Sequence, residues 1–505
     1  MAAALMHHAL ERAGALYGDR DAVWAGDERW SYRHLDDLST AFGRHLADQG
    51  VGAGDRVALM TSNRPEFIVA VHAISKLGGA AVLLSPAWKA RETEHAIELT
   101  GPIHAVADGP ATDLLGRCMG TDPITDLDDW QVEPALPQGG LPANEREETD
   151  EAVLVFSSGT TGLPKAVRHT HHSMGTATSH WCQTLGLGPG DRFQVATPPS
   201  HILGLLNLLA ATAAGATVRL HRRFDLDEVL RCIETDRMTL EMAVAPIALA
   251  MANHPHLEDF DLSSLRYIMW GATPVSERVA AAVTRRTGVR WLPAYGASEL
   301  PVIAVNPVND PSAWRLDSAG LAPDGVELRV ADLDSGQVLP SNQIGEIQVL
   351  SPSVMAGYLP EEATADAFAD GWYRTGDVGW LEPEGWVHIT DRAKEMLKVN
   401  GFQVAPAEIE GVLHGHPAVL DCAVFGLADE RAGEVPVAVV QLDPDRPVAA
   451  EELRQLVAES LATYKHLHHI VVVDEIARLP SGKVLRRTMR EQLTPSLLVE
   501  GHDSL

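Results

Sequence analysis

Cysteine is scarce. Cys118, Cys182, Cys232 and Cys422 are the only four in 505 residues, and no two lie close together. That spacing excludes a cysteine-rich zinc site and argues against a disulfide framework, so a reducing compartment fits best. Aromatics are also few, at 5%. Basic residues are in deficit: 40 Lys and Arg face 69 Asp and Glu, for a net charge of −29. A nucleic-acid-binding protein needs a basic footprint, and none is visible. The negative excess favours solubility over any particular partner. It also means that cations must be concentrated wherever a polyphosphate binds. Long apolar runs are missing. Ile202–Val218 comes nearest to a membrane span, but it contains Asn207, Thr212 and Thr217 and is shorter than the usual ~20 residues. It reads as a buried helix followed by a strand. Glu11 and Arg12 follow Met1–Leu10 at once, so no signal-type run opens the chain and a cytoplasmic location is expected. Internal repeats and low-complexity tracts are absent.

The chain is too long for one core, so two or more domains are expected. From Asp55 onward, short apolar runs alternate with helix-period stretches. Val57–Met60 and Ala80–Leu84 flank a helix over Pro65–Leu77. Phe193–Ala196, Thr217–Leu220, Leu240–Ala245, Leu265–Trp270 and Val289–Pro293 follow as strands, with a helix over Val275–Thr287. Such alternation predicts an α/β fold of doubly wound sheets, with ligands at the carboxyl ends of the strands. Past Asp317 the pattern turns β-rich and predicts a smaller β subdomain. After Arg392 a compact α+β unit is expected, with helices over 406–414 and 450–463 and strands over 419–425, 435–441 and 470–474. Gln131–Glu148, rich in Pro and Gly, reads as a loop.

The strongest chemical signal is Ser157-Ser158-Gly159-Thr160-Thr161-Gly162-Leu163-Pro164-Lys165, directly after the apolar run Ala152–Phe156. Glycines let backbone N–H groups converge on an anion, the hydroxyls add donors, and Lys165 adds charge. This is a phosphate cradle but not a Walker A loop, which ends in Gly-Lys-Ser/Thr. Histidines cluster at His169, His171 and His172 and again at His466, His468 and His469. Neither group has a Cys or acidic partner at ligand spacing, so both read as ordinary surface or helix-face histidines.

The nine-residue loop resembles the phosphate loop of the adenylate-forming superfamily, which includes acyl-CoA synthetases, coumarate–CoA ligases, luciferases and adenylation domains. Further motifs of that family occur in order. They are Tyr295-Gly-Ala-Ser-Glu299, Tyr373-Arg-Thr-Gly-Asp377, the hinge segment Asp391–Glu410 and Pro480-Ser-Gly-Lys-Val-Leu-Arg-Arg487. Taken alone, Asp377 reads as a turn residue and Lys483 as a solvated lysine; the joint order removes those readings. The resemblance implies ATP, Mg²⁺ and coenzyme A as cofactors and a small-molecule carboxylic acid as substrate. Ser157, Ser158, Gly159, Thr160, Thr161, Gly162 and Lys165 would hold the β- and γ-phosphates. Glu299 would be the Mg²⁺ carboxylate. Tyr295 would face adenine beside Gly271, Ala272 and Thr273, with Gly296, Ala297 and Ser298 completing that wall. Asp377 and Arg392 would take the ribose, and Lys483 would bridge the carboxylate and the α-phosphate. Lys165, Thr160, Glu299 and Lys483 are thus the expected catalytic residues. Two departures stand out: Ser298 replaces the usual threonine, and Ala166 the usual glycine.

By the same resemblance, residues 1–390 form the ATP- and acid-binding domain and 391–394 the hinge, centred on Lys394. Residues 395–505 form a mobile lid, with Gly401 and Phe402 lining a coenzyme A channel. Pro198–Gly204 matches the segment that carries the family's acyl-pocket histidine, here His201. No carboxylate lies between Asp191 and Asp225, so a substrate without an α-ammonium is expected. Its pocket would be lined by His201, Leu203, Gly204, Ala294, Leu300 and Val302. These small and aliphatic walls suit a bulky aliphatic, alicyclic or terpenoid acid. A planar aryl acid is the alternative, because Gly401–Pro406 is similar to coumarate–CoA ligases. That stretch also favours coenzyme A over a carrier protein or partner enzyme as acceptor. No membrane span is expected, and a homodimer stays open. A non-catalytic nucleotide sensor is opposed by the filling of every expected catalytic position.

Overall fold

The computed structural model describes residues 5–121, 123–130, 141, 146–157, 163–271, 275–429, 431–478 and 484–500, the last seven by backbone alone. Two large sheets carry the first part of the chain. The seven-stranded sheet runs in the order Gly357–Leu359, Lys165–Thr170, Glu151–Ser157, Ala80–Leu83, Arg56–Met60, His104–Ala107 and Ile124–Asp126. The eight-stranded sheet places Leu240–Ala243, Tyr267–Trp270 and Trp291–Tyr295 side by side, all parallel. The strands Leu240–Ala243 and Tyr267–Trp270 are buried along their whole length, as expected where both faces are covered. A third, antiparallel sheet is built on Gly345–Leu350, Trp372–Leu381 and Val387–Arg392. The fourth sheet draws only on residues after Met396, with Val419–Asp429 and Gly433–Leu442 at its centre.

Helices fill the space between the sheets. Pro65 starts Pro65–Lys76 at the first helical position, where its missing N–H is harmless. The apolar stretch after His201 folds as the helix Ile202–Ala214 and the strand Thr217–Leu220, as its pattern predicts. Its one amide is satisfied: Asn207 Oδ1 accepts from the Trp181 indole at 2.8 Å. Leu205, Leu206, Leu208 and Leu209 join the main core, and each such leucine contributes about 1.5–3 kcal/mol by leaving water. Among the described residues no helix is long and apolar enough to cross a membrane. The helix expected over 450–463 stops at Ser460, and Thr463–Lys465 makes a separate 3₁₀ turn. Ser460 Oγ bonds back to the Leu456 carbonyl at 2.7 Å, a local bond that competes with helix continuation.

One polar network sits inside the eight-stranded sheet. His221 Nε2 donates to Gln194 Oε1 at 2.8 Å, and Gln194 Nε2 donates to Glu241 Oε2 at 2.6 Å. Glu241 is 1% exposed, and burial pushes its carboxyl up to about 8. The folded chain therefore holds a proton that the unfolded chain releases above its ordinary value of 4.5. Stability falls as pH rises from about 4.5 to about 8 and stays lowered above that. Glu241→Gln removes the ionisation. It is expected to raise stability by about 1–2 kcal/mol at pH 8 and by little at pH 4.5; chemical denaturation at both pH values checks this.

Candidate active site

The phosphate loop leaves the strand Glu151–Ser157 and returns as the antiparallel strand Lys165–Thr170, with Ser157 paired opposite Lys165. The loop's tip, including Ser158, Gly159, Thr160, Thr161 and Gly162, lies outside the described residues, but its base is pinned by this pair. Its exit is held from the side, where His95 Nε2 donates to the Pro164 carbonyl at 3.0 Å.

Alternation along Lys165–Thr170 puts Lys165, Val167 and His169 on one face. Tyr358 lies directly opposite Val167 on the neighbouring edge strand. Its ring sits 5.2 Å from Lys165 Nζ, and its hydroxyl donates to Glu299 Oε1 at 2.7 Å. Among the described residues the Glu299 carboxylate takes no other hydrogen bond. A nearly buried carboxylate with one oxygen fixed and spare acceptor capacity fits a hard cation that needs few protein oxygens. Burial, with the Glu299 charge second, holds the Tyr358 hydroxyl protonated.

The second cluster joins the eight-stranded sheet to the third one. Tyr295 Oη donates to Asp377 Oδ2 at 2.5 Å, and Arg392 Nε reaches Asp377 Oδ1 at 2.6 Å. Asp377 and Arg392 face each other across paired strands. The Asp377 carboxylate, 4% exposed, pushes the Arg392 guanidinium further up, and burial does the same to the Tyr295 and Tyr373 hydroxyls. Both Asp377 oxygens are thus engaged, Oδ2 by Tyr295 and Oδ1 by Arg392. Gly296 is dictated by space, because a Cβ there would lie 2.1 Å from the Pro301 carbonyl. Gly271 has room around it, its nearest neighbour being the Ala294 carbonyl at 3.8 Å. Ala272 and Thr273 are outside the described residues. Ala297 and Ser298 are half-buried on the turn before Glu299.

The crevice expected at strand ends draws on more than one sheet. The cradle strand belongs to the seven-stranded sheet, Tyr267–Trp270 and Trp291–Tyr295 belong to the eight-stranded one, and Asp377 and Arg392 belong to the third. Three sheets meet at the site. Several of the expected acyl-pocket residues are enclosed. Leu300 and Val302 are 0% exposed and belong to the main core. The side a Cβ would take at Gly204 is filled by the Pro198 carbonyl at 2.2 Å. His201, Leu203 and Ala294 keep partial exposure. His201 caps the helix Ile202–Ala214, its Nδ1 accepting from Leu203 N at 3.2 Å, and burial holds the ring neutral.

Lys394 is exposed in the turn that leads from Val387–Arg392 into the fourth sheet. Beside it, Asp391 accepts from Ala407 N at 2.9 Å, and burial raises its carboxyl to about 6. Asn400 and Gly401 have φ of 52° and 83°, the two-residue hairpin for which Asn-Gly is suited. Phe402 follows at its tip, 53% exposed and stacked 4.4 Å from Tyr464. Lys483 lies outside the described residues. The residues on either side of its loop, Arg478 and Val484, are bridged, and Arg486 pairs with Glu410 at 2.8 Å and with Glu395. Neither expected histidine cluster gathers three ligand atoms among the described residues. His171 Nδ1 instead accepts from Met6 N at 3.2 Å.

Tyr358 and His169 carry no motif in the sequence. Their place opposite Glu299 exists only once the strands pair. Tyr358→Phe should lower the rate of acyl-adenylate formation about 10-fold, the value of one hydrogen bond to a charged group; ATP–pyrophosphate exchange measures it.

The AMP-binding enzyme family matches residues 10–359, and the AMP-binding enzyme C-terminal domain matches residues 408–483. A 4-coumarate–CoA ligase of Oryza sativa subsp. japonica is 35% identical over 478 residues, covering 88% of this chain and 84% of the relative. The o-succinylbenzoate CoA synthetase of Bacillus subtilis, solved with its acyl-adenylate intermediate, is 30% identical. Its TM-score is 0.84, over 95% of this chain and 97% of that one. An amide bond synthetase of Marinactinospora thermotolerans is 29% identical with a TM-score of 0.87, over 96% and 99%.

Proposed function

This chain belongs to the AMP-binding enzyme family as an AMP-forming CoA ligase, and on that footing we propose that it activates a planar aryl carboxylic acid. ATP and coenzyme A are the family's co-substrates. The observation that carries the proposal is the meeting of Lys165, Tyr358, Glu299, Tyr295, Asp377 and Arg392 where three sheets join. Forming an acyl-adenylate brings two anions together and expels a third, so positioned charge dominates the chemistry. Lys165 offsets phosphate charge, Asp377 and Arg392 orient the ribose, and Tyr295 walls the base. Lys483 offsets charge at the α-phosphate. Glu299 would hold Mg²⁺, which when bound neutralises the departing pyrophosphate. The exposed Phe402 hairpin offers an apolar edge to an incoming thiol.

Two observations support an aryl acid over the bulky aliphatic acid that composition favours. The segment Gly401–Pro406 is similar to that of coumarate–CoA ligases. Of the proteins named above, the 4-coumarate–CoA ligase and the o-succinylbenzoate CoA synthetase act on aryl-bearing acids by their names. The test is mass spectrometry after incubation with ATP, Mg²⁺, coenzyme A and a pooled panel of aryl and alicyclic acids. Aryl-CoA products support the proposal. An alicyclic acyl-CoA overturns the substrate class. Acyl-AMP without thioester overturns coenzyme A as acceptor.

A further inference from the structure

We infer that His169 is a positioning residue that fixes the Glu299 carboxylate relative to the strand carrying Lys165. The inference rests on Glu299 as the Mg²⁺ carboxylate. His169 is 0% exposed, and its Nε2 lies 2.8 Å from the Ser298 carbonyl. A carbonyl only accepts, so Nε2 carries the proton and Nδ1 must accept. Ser173 Oγ lies 3.1 Å from Nδ1 and is held by Thr170 N at 3.0 Å, with Thr170 O 3.2 Å away. The Ser298 carbonyl thus sets the tautomer and Ser173 steadies the far ring nitrogen, much as a carboxylate or carbonyl does for a metal-binding histidine. Burial keeps the ring neutral by lowering its pKa to about 4.

The loop that carries Glu299 is short and tightly turned, with Ala297 N bonded to Leu300 O at 2.9 Å. Two successive carbonyls anchor it. Glu299 O accepts from Met355 N at 2.8 Å, and Ser298 O accepts from His169. Met355 precedes the Tyr358 strand, whereas His169 belongs to the Lys165 strand. The two groups that would face the same phosphates are therefore tied through one imidazole. Losing it leaves a carbonyl without its partner and lets the loop relax, and about 1 Å of misplacement is enough to matter at such a site.

A histidine that merely fills the core would affect stability alone, so the test reads metal-dependent binding. The probe is α,β-methylene-ATP, titrated calorimetrically with MgCl₂ or with EDTA. In the wild type Mg²⁺ is expected to tighten binding. His169→Leu and His169→Asn should cut that Mg²⁺ increment about 10-fold, with binding in EDTA unchanged. His169→Gln, which restores an N–H toward Ser298, should retain it. The Asn variant serves if the Leu variant does not fold. The inference fails if a folded Leu or Asn variant keeps the full increment, or if Gln loses as much as Leu. A wild type without any Mg²⁺ increment overturns the reading of Glu299 itself.

Discussion

Lys483→Ala is expected to slow acyl-adenylate formation by about 10²-fold or more, while thioester formation from a supplied acyl-adenylate stays within about 2-fold. The first half-reaction moves charge onto the α-phosphate, where a nearby ammonium is worth most in a water-poor site. The second breaks an acyl–phosphate bond and needs no cation at that point. Lys483 sits on the small C-terminal unit. The residues flanking its loop, Arg478 and Val484, are bridged, and Asp421 fixes Arg478 at 3.0 and 2.8 Å. ATP–pyrophosphate exchange reports the first half-reaction, and thiol capture of a synthetic acyl-adenylate reports the second. Equal losses in both would sink a two-orientation account in which Lys483 serves one step alone.

Asp377→Asn should lower kcat/KM for ATP by about 10²-fold, and adding Arg392→Ala should cost little more. Asp377 is the acceptor for both Tyr295 and Arg392. Removing its charge strands a hydroxyl and a guanidinium at once, so Arg392 has little left to lose. A buried pair broken on one side commonly costs 3–5 kcal/mol. Arg392 keeps 46% of its side chain exposed, so solvent screens it and the stability loss should stay at about 1–2 kcal/mol. A double-mutant cycle in kcat/KM, with thermal midpoints alongside, separates the two effects. Strict additivity would mean that Asp377 and Arg392 act on ATP independently.

Much of this was legible in the chain before folding. The loop 157–165, the Tyr295 and Asp377 segments and the Lys483 loop are local patterns whose chemistry depends on residue type and order. Local backbone demands act in the same way: Asn400-Gly401 forms its hairpin because such residues reach positive φ at both positions with little strain. Pro65 opens its helix for a similarly local reason. The apolar alternation around Val57, Ala80 and Leu240 was enough for the α/β class, since burial of both sheet faces writes itself into single strands.

Tertiary structure decided what the pattern could not carry. Three sheets supply the site, because strand pairing is set by contacts between segments far apart in the chain. The opposition of Tyr358 to Val167, and of Asp377 to Arg392, is a matter of register; a slip of one residue would turn each side chain to the other face. Apolar residues line cores and pockets alike, so that Leu300 and Val302 are fully enclosed is known only from packing. Residue type and order along the chain determined which chemistry this protein carries. The long-range register of its strands decided which side chains meet to perform it.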